Sequence, residues 1–213
     1  MDRLFELLLD FSGPRVFNQY RDRDPALDRP DAPALRRANL GRYLEIFAGA
    51  RYVLVGEAAG YAGCRFSGIP FTGEAQLVGS RPLSWAGGST GGEWARTSLG
   101  DLWRERSAQI VWPALNDRRD CVLWNAFPWH PFKDGPLTNR RPKTSELRQA
   151  SDTLRHFLSL FPRAQVLAVG RVSQDALARL GIQATYIRHP SHGGKRKFEA
   201  GVKALPQVRQ TRR

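Results

Sequence analysis

Cysteine is scarce in this chain. Cys64 and Cys121 are the only two, with no CxxC spacing between them. That excludes a disulfide framework and a four-thiolate cluster, and it fits a reducing, cytoplasmic setting. Long apolar runs are missing as well, since none approaches the roughly 20 residues that span a bilayer. The opening MDRLFELLLDF carries acids inside its apolar part and no small-residue cleavage site, so it reads as an amphipathic helix rather than a signal peptide. Acids are in deficit, with 20 Asp and Glu against 33 Lys and Arg and a net charge of +13. Such a balance suits a polyanion, and with no membrane segment the expected partner is nucleic acid. The length of 213 residues suffices for one domain with its own core, here 1–213 with a basic tail from about 206 to 213.

What the chain does have is an alternation of apolar runs and helical periods. Leu4, Leu7, Leu8 and Phe11 recur at helical spacing, and residues 18–33, rich in Arg, Asp and Pro, read as an irregular connection. A helix is expected from 34 to about 48, with Leu35, Leu40, Leu44 and Phe47 inward. Residues 52–55 and 121–124 have the length and apolar content of buried parallel strands, and 165–169 and 184–187 supply two more. Between them, helices are expected at 72–78, 99–115 (kinked or ended by Pro113), 145–160, 173–180 and 198–205. Residues 82–92 read as a Gly/Ser-rich mobile loop. The expected fold class is α/β, one parallel doubly wound sheet of about four strands flanked by helices.

That topology places three distant polar residues together. In an open α/β sheet, ligands bind outside the carboxyl ends of the strands. Glu57 follows the first strand in VLVGEAAGYAGCRFSGIPFTG, Asn125 ends the second, and His189 follows the fourth in RHPSHGGKRKF. Singly, each has a plainer reading: a helix cap for Glu57, loop hydrogen bonding for Asn125, core packing for Phe71. An H-x-x-H metal pair at His189 and His192 finds no third ligand, so no metal is expected. A dinucleotide site is disfavoured too, because GEAAGYAG lacks the G-x-G-x-x-G spacing and Glu57 would repel a phosphate.

Together, GEAAG at 56–60, GIPFTG at 68–73, Asn125 and HPS at 189–191 resemble the uracil-DNA glycosylase superfamily. The pattern looks most like its family-4-like branch, which usually carries an iron–sulfur cluster. Such enzymes flip a base out of the DNA and hydrolyse its N-glycosidic bond, leaving an abasic site. The resemblance implies that Phe71 stacks on the uracil, Asn125 reads its pyrimidine edge, and His189 donates to O2 as negative charge develops. Gly56, Ala58, Gly60 and Tyr61 then complete the pocket. Ala58 stands where the best-known branch has an aspartate that aligns water, and Gly60 where it has the tyrosine that excludes thymine. Glu57 is the remaining acid for placing water or stabilising the sugar cation, with a backbone carbonyl as the alternative, and Tyr61 is the remaining candidate filter.

The cluster cysteines of the resembling branch are absent, so no iron–sulfur cluster and no cofactor are expected. The loop after His189 has no apolar wedge. It offers Ser191, His192 and Gly193 with Lys195, Arg196 and Lys197 for phosphates, and Arg140 and Arg141 add a second basic segment. The implied partner is uracil-containing DNA, single- or double-stranded, met by a monomer. A non-catalytic nucleic-acid-binding protein on the same fold, or one acting on another damaged base, is the competing reading, suggested by Ala58.

Overall fold

The structure is a computed structural model, and it describes residues 1–86, 94–116, 118–191 and 193–206. Its elements follow in order as α1 (Asp2–Asp10), β1 (Val16–Phe17), α2 (Ala32–Ile46), β2 (Tyr52–Ala58), α3 (Cys64–Ser67), α4 (Glu74–Val78) and α5 (Ala108–Leu115). Then come β3 (Cys121–Phe127), β4 (His130–Pro131), α6 (Thr144–Gln149), α7 (Ser151–Ser159), β5 (Gln165–Val169), α8 (Arg171–Arg179), β6 (Thr185–Ile187) and α9 (Lys195–Lys203). Four strands form one parallel sheet in the order β3-β2-β5-β6. Helices flank it, as expected from the alternation of strand and helix patterns.

The apolar runs explain the centre of the sheet. Val53, Leu54 and Val55 in β2, Val122 and Trp124 in β3, and Leu167 and Ala168 in β5 are fully buried. The Trp124 ring stacks on Phe157 of α7 with centroids 3.9 Å apart. From β2 the chain moves outward to β3, then crosses back over β2 to build β5 and β6 on the other side. The order reverses there, and such a switch point opens a crevice at the carboxyl ends of the strands.

Several boundaries differ from the sequence expectation, each for a physical reason. Strand β3 continues through Phe127, pairing Gly56 with Asn125 and Ala58 with Phe127, so Asn125 sits within the strand rather than after it. Helix α5 covers only the second half of 99–115, and it contains Pro113. The first half serves as a brace instead. The Trp103 ring stacks on Phe66 at 4.7 Å, and just ahead of this segment the Glu74 carboxylate accepts the backbone N–H groups of Thr97 and Ser98 at 2.6 and 2.9 Å. The period over 145–160 is divided into α6 and α7 at Ala150. Helix α9 begins at Lys195, which puts Lys195, Arg196 and Lys197 in its first turn. Much of the 82–92 loop and the tail beyond residue 206 lie outside the described residues.

An unexpected ionic core ties the irregular 18–33 connection to the glycine-rich loop. Arg36 of α2 and Arg65 of α3 both contact Oδ1 of Asp28, at 2.5 and 2.6 Å, and all three side chains are fully buried. Arg36 also donates to the Phe66 carbonyl, and Arg65 lies 4.3 Å from the centre of the Phe17 ring. Removing one partner of a buried pair strands the remaining charge. Asp28→Asn is therefore expected to cost about 3–5 kcal/mol in a urea-unfolding measurement. A cost below about 1 kcal/mol, the size typical of an exposed pair, would show that the cluster does not brace this face.

Candidate active site

The carboxyl ends of β2, β3, β5 and β6 border a cavity of ≈ 440 Å³. Glu57, Ala58, Gly60, Phe71, Asn125, Arg140, Arg141, His189 and Ser191 line it, so most of the residues singled out in the sequence meet in one place. Strand β2 delivers Gly56 and Glu57 at its end, and the short α3 turns the chain back so that GIPFTG passes over β2.

Gly56 is where the backbone has to be bare. A Cβ there would lie 2.2 Å from Phe71 Cζ and 2.9 Å from Asn125 Oδ1, so the ring and the amide meet directly over the strand. Phe71 holds a left-handed backbone, φ 53°, an uncommon conformation for an aromatic residue and one that surrounding contacts have to fix. Its carbonyl accepts the Trp112 indole N–H at 3.2 Å, which anchors the turn. The Phe71 ring then sits 6.2 Å from the His189 imidazole, inclined by 35°.

Asn125 is 2% exposed, and among the described residues nothing hydrogen-bonds its side-chain amide. A buried amide facing a cavity without protein partners is a site prepared for something that brings both a donor and an acceptor. His189 is oriented from behind. The Ser191 backbone N–H points at Nδ1 at 3.2 Å, and the Ser191 hydroxyl lies 2.7 Å from the same nitrogen. An N–H donor makes Nδ1 the acceptor, so the neutral ring carries its hydrogen on Nε2.

Glu57 is about one-third exposed and faces Arg141 at 3.9 Å. Burial pushes its carboxyl above the ordinary glutamate value, and the Arg141 charge opposes part of that rise. Arg140 is committed elsewhere: two of its nitrogens contact the Glu146 carboxylate at 2.7 Å each, and it also donates to the Phe132 and Arg15 carbonyls. Tyr61 is not among the cavity-lining residues. Its backbone N–H donates to Asn139 at 3.0 Å, and its ring packs edge-on to Trp103 at 6.0 Å. Lys195, Arg196 and Lys197 are exposed on α9, Gly193 sits in the preceding turn, and His192 lies outside the described residues.

The cavity also contains residues that sequence reasoning missed. Arg171 and Arg188 line it. The same strand-end rule that picked out His189 would have found both, because they adjoin the ends of β5 and β6. Glu105, Ser107 and Asn139 stand in irregular segments where no period marks a face.

The strand ends thus bring an aromatic ring, a buried amide and an oriented imidazole to one cavity. The family model "Uracil DNA glycosylase superfamily" matches residues 45–209, and the chain belongs to that superfamily. Among solved structures it is similar in fold to wild-type SMUG2 of Pedobacter heparinus, with a TM-score of 0.55, 14% identity and 95% of each chain covered. No curated protein matches it significantly in sequence.

Proposed function

We propose that this DNA glycosylase hydrolyses the N-glycosidic bond of uracil in DNA and leaves an abasic site. The observation that carries the reading is the buried Asn125 amide, which faces the cavity without a hydrogen-bond partner among the described residues. Uracil offers N3–H beside O4, a donor next to an acceptor, and the amide satisfies both with its oxygen toward N3 and its NH2 toward O4. Cytosine offers an acceptor next to an amine, which the same amide meets with both bonds reversed.

The chemistry follows from the remaining groups. Phe71 covers one face of the flipped base. As the C1′–N1 bond breaks, its electron pair moves into the uracil ring and onto O2, where the His189 Nε2–H stabilises the developing charge. Water forms the new bond to C1′ and gives its proton to the Glu57 carboxylate, whose raised basicity suits that task. Arg141, Arg171, Arg188 and the cations at the start of α9 supply contacts for the phosphates on either side of the flipped nucleotide. The protein acts as a monomer without a metal or cluster, and no step above draws on one. The direct test is chromatography of the products formed from an oligonucleotide carrying one uracil. Free uracil is expected, and release of a nucleotide instead would contradict the proposal.

Glu57 sets the pH dependence. Its carboxyl is raised, so it gains a proton at a higher pH than an ordinary glutamate and the base is lost early as pH falls. The acid limb of kcat/KM is expected above pH ~4.5. Arg141→Ala removes the opposing charge and moves that limb to still higher pH, whereas Glu57→Gln abolishes it and lowers the rate about 10²- to 10⁴-fold. A limb unmoved by either change would assign the proton to another group.

A further inference from the structure

We propose that His130 is a positioning residue, which straps the first glycine-rich loop to the 136–141 segment and so holds Glu57 at its depth in the cavity. The inference rests on the reading of Glu57 as the group that takes the proton from water, and it names what keeps that group in place.

His130 is fully buried and is not among the cavity-lining residues, so it acts through its neighbours. Its backbone is fixed in β4, where it pairs with Phe17 of β1. Both ring nitrogens reach backbone carbonyls of other segments. Nδ1 lies 2.9 Å from the Ala59 oxygen, and Nε2 lies 2.9 Å from the Pro136 oxygen. Ala59 comes two residues after Glu57, and Pro136 opens the stretch that carries Asn139, Arg140 and Arg141.

The two sides of this strap differ in support. Arg140 anchors the 136–141 side without help from the ring: its backbone N–H donates to the Pro131 carbonyl at 3.2 Å, and its guanidinium grips Glu146. The glycine loop hangs from that anchored segment by the His130 ring on Ala59, the Tyr61 N–H on Asn139 at 3.0 Å, and the Glu57–Arg141 pair at 3.9 Å. Of the three, the ring contact is the one out of water, where a hydrogen bond holds most firmly. Burial first, then the Arg65 and Arg140 charges, push the ring down to about 4 against the pull of the two carbonyls. The ring is therefore neutral where Glu57 titrates, and it donates through one nitrogen only.

Burial raises the Glu57 carboxyl, and Arg141 opposes part of the rise. The other charged or titratable groups on the cavity are Glu105, Arg140, Arg171, Arg188 and His189, while Cys64 turns to Gln19 and Tyr20. A loop without its strap carries Glu57 toward water and away from Arg141 together. Burial is the larger of the two effects, so the carboxyl falls back toward the ordinary glutamate value. Arg141→Ala leaves the burial and removes the charge, so its shift has the opposite sign.

The test measures the Glu57 pKa in the free protein by carbon-13 NMR of its carboxyl, beside kcat and KM against pH on a uracil-containing strand. In His130→Ala both the Glu57 pKa and the acid limb are expected to move to lower pH. The value of kcat falls about 10- to 100-fold, the size of a small misplacement, while KM changes only a few-fold because phosphate contacts are untouched. His130→Asn sets an amide N–H where Nδ1 stands, and it is expected to restore both pKa and kcat more fully than His130→Gln, whose amide stands at Nε2. A Glu57 pKa that is unmoved in His130→Ala, or raised as in Arg141→Ala, overturns the role of His130. Should His130→Ala fail to fold, the Asn and Gln variants decide, and equal Glu57 values in the two overturn it. The expected pKa shifts in a protein that excises no uracil leave the strap standing and overturn the uracil reading instead.

Discussion

His189→Ala is expected to lower the rate of base excision about 10²- to 10³-fold while binding of uracil-containing DNA changes only a few-fold. The separation of the two effects is the informative part. The imidazole lies in the cavity, held by the Ser191 N–H so that its Nε2–H points away from that contact. A donor aimed at O2 does most of its work once the C1′–N1 bond is breaking, because only then does O2 carry substantial charge. The ground-state complex loses one modest contact, and phosphate contacts from the arginines remain. Single-turnover kinetics beside a gel-shift titration would measure both quantities. An unchanged rate would remove His189 from the chemistry. A loss of rate matched by an equal loss of binding would make it a docking residue instead.

Asn125→Asp is expected to collapse the preference for uracil over cytosine about a thousandfold or more, through a large fall in uracil excision. The amide presents one acceptor and one donor, whereas a carboxylate presents two acceptors, one of them against uracil O4. Burial sharpens the effect, since at 2% exposure water cannot easily relieve the mismatch. The cytosine amine, by contrast, gains an acceptor. Measuring kcat/KM on otherwise identical strands containing one uracil or one cytosine gives the ratio directly. A ratio that survives the substitution would mean that the pyrimidine edge is read elsewhere.

The parts of this molecule that were legible in the sequence are those where chemistry and fold coincide. Apolar runs alternating with helical periods gave the parallel sheet, most plainly in β2 and β3, because strands buried on both faces have to be apolar, whereas β6 at the edge buries only Ile187. Glu57, Asn125 and His189 could then be placed on one edge by topology alone, and the cavity does bring them together. Where side chains act against their type, the pattern misled. Arg36 faces inward from α2 because Asp28 waits there, and a binary reading of polar as exposed has no means of seeing that pair. Leu99, Leu102 and Trp103 imitate a helical period, yet Trp103 is used to stack on Phe66 and the helix begins only at Ala108. Glu105 escaped for the same reason: the expected helix over 99–115 hid the irregular segment through which it becomes a cavity residue. Tyr61 is the opposite case, singled out in the sequence but placed off the cavity lining. Gly60 before it lines the cavity, but its own ring is turned to Trp103.

The central claim is that this cavity recognises uracil and releases it. The most direct measurement uses end-labelled oligonucleotides, single- and double-stranded, each with one uracil, thymine or cytosine, incubated with the protein and then treated with alkali. Breaks at uracil alone, visible only after alkali, are the predicted result, because hydrolysis of the glycosidic bond leaves the backbone intact. Intact uracil strands despite tight binding would contradict the claim and leave a base-binding protein that does no chemistry on uracil.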